Sequence, residues 1–283
     1  MSKIRVLIGT PLKGDVSPKY FQTALELLGR ENPLYQFSHV FLAGTCVFGA
    51  RDQLAMMAID QNHDILIQWD SDLRPTVAHF KRLLEHMKTN DFVCMPYSKR
   101  EHLTHWHFYP VDGADILETG LWEMEQAAIG FSAIKTKVFK DMMAKFPERG
   151  YWNKEQGTDA KRFYQFFPWE VHGPNTAEGK LAAIQALAKS FTDTEHQNWP
   201  MFWHDLNQVL GANDYSKNKM IGEDYGFCKK ARAMGVRIFI DAKMVVQHVG
   251  ECEFPIPSPD LVQMVSEEWR QDYFKQIREN RKP

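Results

Sequence analysis

The first third of the chain alternates short apolar runs with segments of helical periodicity, and this alternation limits the possible folds most strongly. Four β-rich runs predict strands at Lys3 to Gly9, Val40 to Leu42, Asp64 to Trp69 and Phe92 to Met95. The three segments between them predict helices, at Pro18 to Leu28, Gly49 to Gln61 and Pro75 to Met87. Strands that alternate with helices form a mostly parallel sheet with helices on both faces. We therefore predict an α/β fold with a mostly parallel, doubly wound central sheet.

An acidic pair, Asp70 and Asp72, directly follows the third predicted strand in the stretch ILIQWDSDLRP. Thr10 and Pro11 follow the first strand in the same way. Ligands of open α/β sheets bind outside the carboxyl ends of the strands, so these two strand ends should converge on one crevice. Two carboxylates at positions i and i+2 suit a hard divalent cation such as Mg²⁺. A plain acidic turn or a helix cap is the alternative for this pair.

The regular alternation is lost between about residues 150 and 220, which we interpret as an insertion in a single domain spanning residues 1–283. The insertion is rich in aromatic residues and includes Phe202 and Trp203. Insertions of this length are usually functional or mobile. The aromatic side chains are interpreted either as the lining of a substrate cleft or as a small local core.

Regular structure returns after Gly222. Glu223 to Ala233 predicts a helix with two acids in its first turn, which suits the helix dipole. A strand is predicted at Val236 to Ile240, and His248 lies just beyond the next apolar run. Residues 258–280 predict an amphipathic C-terminal helix.

Charge and cysteine usage limit the partners and the compartment. The chain has 34 Lys and Arg against 36 Asp and Glu, a net charge of -2, so no global basic field attracts nucleic acid or an anionic membrane. The 4 cysteines contain no C-x-x-C pair, which disfavours a zinc ribbon and favours a reducing compartment. No window approaches the roughly 18 uninterrupted apolar residues of a membrane span. We expect a cytoplasmic protein without integral membrane association.

Taken in order, several motifs resemble those of GT-A-fold glycosyltransferases of the family 2-like kind. The matching stretches are the early strand ending in Thr10-Pro11, ARDQLAMMAID (Ala50 to Asp60), ILIQWDSD (Ile65 to Asp72), IGFSAIKTKVFKDM (Ile129 to Met142), GEDYGFCKKARAMGVRIFID (Gly222 to Asp241) and His248. The compact form is similar to small soluble phage, virus or bacterial members, and a viral protein would work in the host cytoplasm. The resemblance implies a nucleotide-sugar-binding half over residues 1–95 and an acceptor half over residues 96–250.

The resemblance also implies the ligands of the donor and its metal. Asp70, Asp72 and His248 would bind Mn²⁺ or Mg²⁺, which bridges the diphosphate of a nucleotide-sugar, and a neutral imidazole suits Mn²⁺. A structural role is the alternative for His248. The donor-binding residues that it implies are Thr10, Pro11, Arg51, Asp70 and Ser71. The family's helix often opens with Arg-Asn, whereas this chain has Arg51-Asp52, so the contact from Asp52 does not carry over.

For the acceptor, the resemblance implies that Asp224, with Glu223 beside it, faces the attacking hydroxyl. In an inverting reaction Asp224 would take the acceptor proton as general base. In a retaining reaction Asp224 or Glu223 would position the acceptor, and a charge pair at a helix N-terminus is the alternative for both. Phe202 and Trp203 are the candidates for stacking against the acceptor.

The sequence does not identify the donor sugar, its nucleotide or the acceptor. The expected reaction is a hexosyl or pentosyl transfer from a UDP-sugar, since UDP is the commonest donor nucleotide of such folds. The acceptor is a glycan, a protein, a small molecule or a hydroxymethylated DNA base, as in phage-type DNA glycosyltransferases. DNA would require a local cationic groove, for which basic residues at 98–100 and 135–145 are candidates.

Two other functions compete with this one. A sugar-phosphate nucleotidyltransferase would carry a Gly-rich loop with an arginine after the first strand, which IGTPLKGDVSP (Ile8 to Pro18) lacks. A non-catalytic nucleotide-sugar-binding protein would not need Asp70, Asp72, Asp224 and His248 together.

Overall fold

The computed structural model describes residues 2–12, 16, 18–29, 31–43, 46–97, 106–153, 161–168, 170–172, 177–192 and 219–248. Phe202, Trp203 and the predicted C-terminal helix over residues 258–280 lie outside these ranges. The chain divides into two compact units. One consists of Met1–Phe167 with Phe227–Pro283, and the other of Pro168–Gly226. The single domain over residues 1–283 stays a prediction.

The first unit is built on one large sheet. Its first half contains the elements β1 (Ile4–Pro11), α1 (Pro18–Leu28), β2 (Tyr35–Leu42), α2 (Val47–Asp60), β3 (Ile65–Trp69), β4 (Leu73–Arg74), α3 (Val77–His86) and β5 (Phe92–Cys94). After these come β6 (Phe108–Pro110), β7 (Leu121–Ala127), β8 (Phe131–Lys135), α4 (Thr136–Lys145), a 3₁₀ turn (Pro147–Arg149), β9 (Gly150–Asn153) and β10 (Lys161–Tyr164). The predicted strands and helices of the first third are therefore present, with small shifts at their ends except at the start of β2.

The second unit contains β11 (Glu170–His172), α5 (Ala177–Thr192) and β12 (Lys219–Ile221), and the division falls at Gly226 within α6 (Glu223–Ala233). Strands β11 and β12 pair in antiparallel fashion. The first unit resumes at Phe227 within α6 and continues with β13 (Ile238–Asp241) and β14 (Gln247–His248). None of the helices within the described ranges combines the length and the apolar character that crossing a bilayer requires.

The eight strands of the large sheet lie in the order β2-β1-β3-β8-β5-β13-β7-β6. Strand β1 is parallel to β2 and β3, and β13 is parallel to β5, whereas β8 and β7 are antiparallel to their neighbours. Six of the eight strands therefore share one direction, and the predicted α/β fold with a mostly parallel sheet is confirmed. The sheet departs from a doubly wound parallel one because β8 inserts between β3 and β5.

Helices cover both faces of this sheet. On one face, which we call the α2 face, buried residues of α2, α4 and α6 pack together. On the other, the α1 face, buried residues of α1 and α3 form a second core around Trp69, whose ring stacks on Tyr20 at 3.8 Å between centroids. Every residue of β3 is buried, as expected of a central strand covered on both sides.

Strand β2 begins at Tyr35, five residues before the predicted start at Val40. This strand lies at the edge of the sheet, and most of its residues are only half-buried. An edge strand of this kind carries polar residues such as Gln36 and Ser38, which interrupt the apolar run that predicts a strand. Its weak sequence signal follows from that position.

The aromatic residues at the end of β10 and just after it belong to the main core. Tyr164, Phe166 and Phe167 are buried on the α2 face, where Phe166 and Phe167 pack against Phe139. The backbone N–H groups of Phe166 and Phe167 both donate to Oδ1 of the buried Asp52, at 2.8 and 2.9 Å. For this part of the predicted insertion, a cleft lining and a separate local core are both wrong. The reason is that the buried Asp52 carboxylate ties this segment to α2.

The buried carboxylate of Asp52 makes stability depend on pH. Burial raises its pKa to about 7, although the N–H groups of Phe167 and Phe166 and the charge of Arg149 oppose the shift. Because the folded pKa lies above the unfolded one, the contribution to stability is complete below about pH 4 and is lost as pH rises through 7. Asp52→Asn cannot ionise and keeps the acceptor oxygen. We expect it to exceed the wild type in unfolding free energy by on the order of 2 kcal/mol at pH 8 and by much less at pH 5.

Urea unfolding of both proteins at pH 5 and pH 8 measures this difference. Asp60→Asn is the matched control, since Asp60 is an exposed residue on the same helix. A difference between Asp52→Asn and the wild type that is the same at both pH values would contradict the prediction.

Candidate active site

A cavity of about 340 Å³ opens at the carboxyl ends of β1 and β3. Its lining consists of Pro11, Leu12, Cys46, Val47, Asp70, Ser71 and Asp72. The ends of the two strands therefore meet at one crevice, where the sequence predicts a ligand. A second cavity, of about 390 Å³, lies between α1 and α3 and shares no lining residue with the first. The cavity at the strand ends is the better candidate because it contains the acidic pair.

Asp70 is held from two elements. Its backbone N–H donates to the carbonyl of Gly130, just before β8, at 2.7 Å. Its Oδ2 accepts a hydrogen bond from Nη2 of Arg51, on α2, at 3.0 Å. Its other oxygen, Oδ1, is buried and accepts no hydrogen bond from the residues that the structure describes.

Arg51 contacts the carboxylate rather than the cavity. Its side chain is only 2% exposed and does not belong to the lining of the cavity. The resemblance implies a border with the nucleotide for this residue, and that role stays a prediction. The contact that the structure gives is a partly buried ion pair with Asp70, which fixes the orientation of the carboxylate.

Gly130 and Tyr97 enclose the same carboxylate and have no role in the sequence analysis. The N–H of Gly130 donates to the hydroxyl of Tyr97 at 3.2 Å. A Cβ at position 130 would lie 2.7 Å from Oδ2 of Asp70 and 2.6 Å from the Tyr97 hydroxyl, so only glycine fits without displacing them. The glycine between two apolar residues in IGF was the one available signal, whereas nothing in the sequence singles out Tyr97.

Asp72 lies next to His248. Strand β14 pairs with β4 so that His248 is opposite Leu73, the residue that follows Asp72. This pairing brings Nε2 of His248 to 3.5 Å from Oδ2 of Asp72. The ring of Tyr97 packs edge-on against the His248 ring, with 5.4 Å between centroids.

These side chains fit a divalent cation by donor type. Carboxylate oxygens suit Mg²⁺, and carboxylates with an imidazole suit Mn²⁺. The buried Oδ1 of Asp70 accepts no hydrogen bond within the described ranges, which leaves it available as a ligand. Among the same residues, however, no three His, Cys, Asp or Glu side chains lie close enough together to hold a metal ion. Binding by all three predicted ligands would therefore require side-chain movement.

Thr10 is directed away from the cavity. It is fully buried, and its hydroxyl is hydrogen-bonded to the hydroxyl of Tyr20 and to Nε2 of His39, the latter at 3.0 Å. Burial lowers the pKa of His39 to about 4, so this network is uncharged at neutral pH. Thr10 thus supports the end of β1, and its neighbour Pro11 provides the surface of the cavity.

The acceptor-side candidates belong to other parts of the chain. Glu223 and Asp224 form the first turn of α6 in the second unit, and both are half-buried. Their place beside the acidic pair stays a prediction. Phe202 and Trp203 lie outside the described residues. The structure therefore places Pro11, Asp70, Ser71 and Asp72 around one cavity, with Arg51 and His248 next to its two carboxylates. The functional roles of these residues and of the acceptor-side candidates stay predictions.

No known family model and no curated protein matches the chain. Among solved structures, A197 from STIV is 20% identical with a TM-score of 0.38, and the match covers 48% of this chain and 67% of that one. Mannose-1-phosphate geranyltransferase from Thermus thermophilus is 11% identical with a TM-score of 0.40, covering 84% and 74%. 4-Diphosphocytidyl-2C-methyl-D-erythritol synthase from Anaerococcus prevotii is 10% identical with a TM-score of 0.30, covering 56% and 79%. With TM-scores below 0.5, these likenesses assign neither family nor activity.

The close packing at Gly130 predicts a coupling between positions 130 and 97. Gly130→Ala should lower the unfolding free energy by about 1–3 kcal/mol, because the added methyl group must displace Asp70 or Tyr97. Tyr97→Phe removes the oxygen that would lie 2.6 Å from that methyl group. The double variant should therefore recover part of the loss. Urea unfolding of the two single variants and the double variant measures the coupling, and strictly additive losses would contradict the proposed contact.

Proposed function

We propose that the protein is a metal-dependent glycosyltransferase that moves a sugar from a nucleotide-sugar, expected to be a UDP-sugar, to a hydroxyl acceptor. The observation that carries the proposal is the placement of Asp70 and Asp72 in a cavity at the ends of two parallel strands, with His248 beside Asp72. Carboxylates at this edge of an α/β sheet are well placed to bind a cation that is shared with a diphosphate. The motif order over most of the chain supports the same reaction.

The cavity suits a small-molecule donor. Its volume of about 340 Å³ falls at the lower end of the roughly 300–1,000 Å³ typical of ligand pockets. Pro11, Leu12 and Val47 provide apolar surface on one side, and the acidic pair provides the polar side. An apolar wall with a few polar groups is the arrangement expected for a nucleotide whose charged end is bound through a metal.

Asp70, Asp72 and His248 would hold Mn²⁺ or Mg²⁺. The cation, when bound, offsets the charge that develops on the leaving nucleoside diphosphate. The chain's own contribution is orientation. Arg51 holds Oδ2 of Asp70, and the pairing of β14 with β4 holds His248 next to Asp72.

The acceptor step is assigned to Asp224. The bond between the anomeric carbon and the diphosphate oxygen breaks, and the acceptor oxygen forms the new bond to that carbon. In the inverting form of the reaction, the proton of the acceptor hydroxyl passes to the carboxylate of Asp224. Glu223, beside it in the same helical turn, would position the acceptor.

A glycan, a protein or a small molecule remains the favoured acceptor over modified DNA. Lys135 and Lys137, two of the lysines suggested for a cationic groove, both form ion pairs with Asp91, at 3.0 and 2.5 Å. Paired lysines attract phosphates less strongly than unpaired ones, since the carboxylate offsets their charge. The basic residues at 98–100 lie outside the described ranges.

The donor and metal are tested together. We expect the pure protein to release nucleoside diphosphate slowly from one member of a panel of UDP-, GDP- and dTDP-sugars when Mn²⁺ is present, and not with EDTA. Asp72→Ala should lower this release at least about 100-fold, because it removes a cation ligand. Asp115→Ala, at an exposed position, is the control and should behave as the wild type. Release that is equally fast in EDTA would overturn the metal dependence.

The role of Asp224 is tested by the same hydrolysis, in which water takes the place of the acceptor. Asp224→Asn keeps the shape of the side chain but cannot accept the proton. We expect kcat to fall by about 10²–10⁴-fold with little change in KM for the donor. Glu223→Gln is the matched control in the same helical turn, and a smaller effect is expected there. If Asp224→Asn turned over at the wild-type rate, the general base would have to be another group.

A further inference from the structure

Gln68 is a polar residue in the centre of the large sheet. It belongs to β3 and pairs in register with Gly9 of β1 and Ser132 of β8. Its side chain is fully buried. Asp70, whose carboxylate is predicted to bind the metal, lies two residues further along the chain.

Gln68 and Asp70 point to the same face of the sheet. Ile65, Ile67 and Trp69 of β3 pack on the α1 face, whereas Leu66 packs on the α2 face, so the side chains alternate along the strand. Gln68 therefore faces α2. The hydrogen bond from Asp70 N–H to Gly130 continues the ladder by one residue, and the contact of Asp70 with Arg51 on α2 places its carboxylate on that same side.

The amide of Gln68 has no hydrogen-bond partner among the described residues. Neither Nε2 nor Oε1 is bonded there. On the adjacent strands, Gly9 has no side chain, and the Ser132 hydroxyl donates to the carbonyl of Ile129 at 2.9 Å. Burying an amide without a partner is unfavourable, and an apolar residue of the same shape would normally be at least as stable at such a position. Packing alone therefore does not explain a glutamine here.

The carboxylate of Asp70, on the same face of the strand, also has a buried atom without a hydrogen-bond partner in the part of the chain that the structure describes. One of its oxygens, Oδ2, is bonded to Arg51, while the other, Oδ1, is buried and accepts no hydrogen bond within the described ranges. A carboxylate oxygen without a donor and an amide without an acceptor thus lie on one face of one strand, two residues apart. Each carboxylate oxygen has two lone pairs, so an N–H on Oδ1 still leaves room for a cation.

We propose that Gln68 is a positioning residue for Asp70. The two groups are not hydrogen-bonded in the structure, and a rotation of the Gln68 side chain would let Nε2 donate to Oδ1, the oxygen that Arg51 does not bind. The two donors hold the carboxylate plane between them and present it to the cavity in one orientation. This inference rests on the proposed function, because it assigns Gln68 to the support of the same cation site. Partners of this kind set the orientation and basicity of a ligand without touching the metal.

The test compares Gln68→Met with the wild type in stability, in Mn²⁺ affinity by direct titration, and in donor hydrolysis. Methionine fills a similar volume without polar atoms. We expect a melting temperature within about 2 °C of the wild type, because methionine removes a buried amide but also the donor to Oδ1, and the two effects on stability oppose each other. We also expect Mn²⁺ affinity and hydrolysis to fall by about 10- to 100-fold.

Leu66→Met is the matched control. Leu66 lies on the same strand and the same face, two residues from Gln68 on the side away from Asp70. It should change neither Mn²⁺ affinity nor hydrolysis. Gln68→Leu serves as the second variant if Gln68→Met does not fold.

Two results would overturn the inference. One is a Gln68→Met protein with wild-type Mn²⁺ affinity and hydrolysis. The other is a loss of activity in Gln68→Met and Gln68→Leu that is fully accounted for by the fraction of unfolded protein. That result would mean that the amide stabilises the fold and does not act on the cation site. Failure of the proposed function is distinguishable, because the wild type itself would then be inert with every donor. In that case only the Mn²⁺ affinities of Gln68→Met and the wild type would test the role of Gln68. A wild type that binds no Mn²⁺ would overturn both proposals.

Discussion

The ion pair between Arg51 and Asp70 is the interaction on which the organisation of the candidate site depends. It joins α2 to the carboxyl end of β3, and both groups are largely removed from water. Removing one partner of a buried pair leaves an uncompensated charge, which typically costs about 3–5 kcal/mol. The pair therefore does not imply a large gain in stability. It does fix the orientation of the Asp70 carboxylate, because separating the two charges would leave each without a partner away from water.

Helix α2 connects this pair to two other parts of the first unit. Cys46 and Val47, at its beginning, line the cavity, and Arg51 holds the carboxylate of Asp70. The next residue, Asp52, binds the backbone where the chain leaves β10. Two adjacent residues of opposite charge are thus both buried, and each is bound to a different partner. A shift of α2 would disturb the cavity wall, Asp70 and the Phe166–Phe167 segment together.

Strand β8 explains why the site needs a glycine and a tyrosine that the sequence does not single out. Because β8 runs antiparallel between β3 and β5, the turn that precedes it brings Gly130 beside Asp70 and below the Tyr97 hydroxyl. The same mixed pairing leaves Gln68 between Gly9 and Ser132, without a partner on either adjacent strand.

The sequence by itself determined the α/β class, the order of the first three strand–helix pairs, and the position of Asp70 and Asp72 at a strand end, because periodicity and strand-end chemistry are local properties. Only the tertiary structure decided the contacts between residues distant in the chain. These include the pairing of His248 with Asp72, the attachment of Arg51 to Asp70, and the burial of Thr10, Asp52 and Phe166. Each depends on strand order and register, which the hydrophobic pattern of a single strand does not contain.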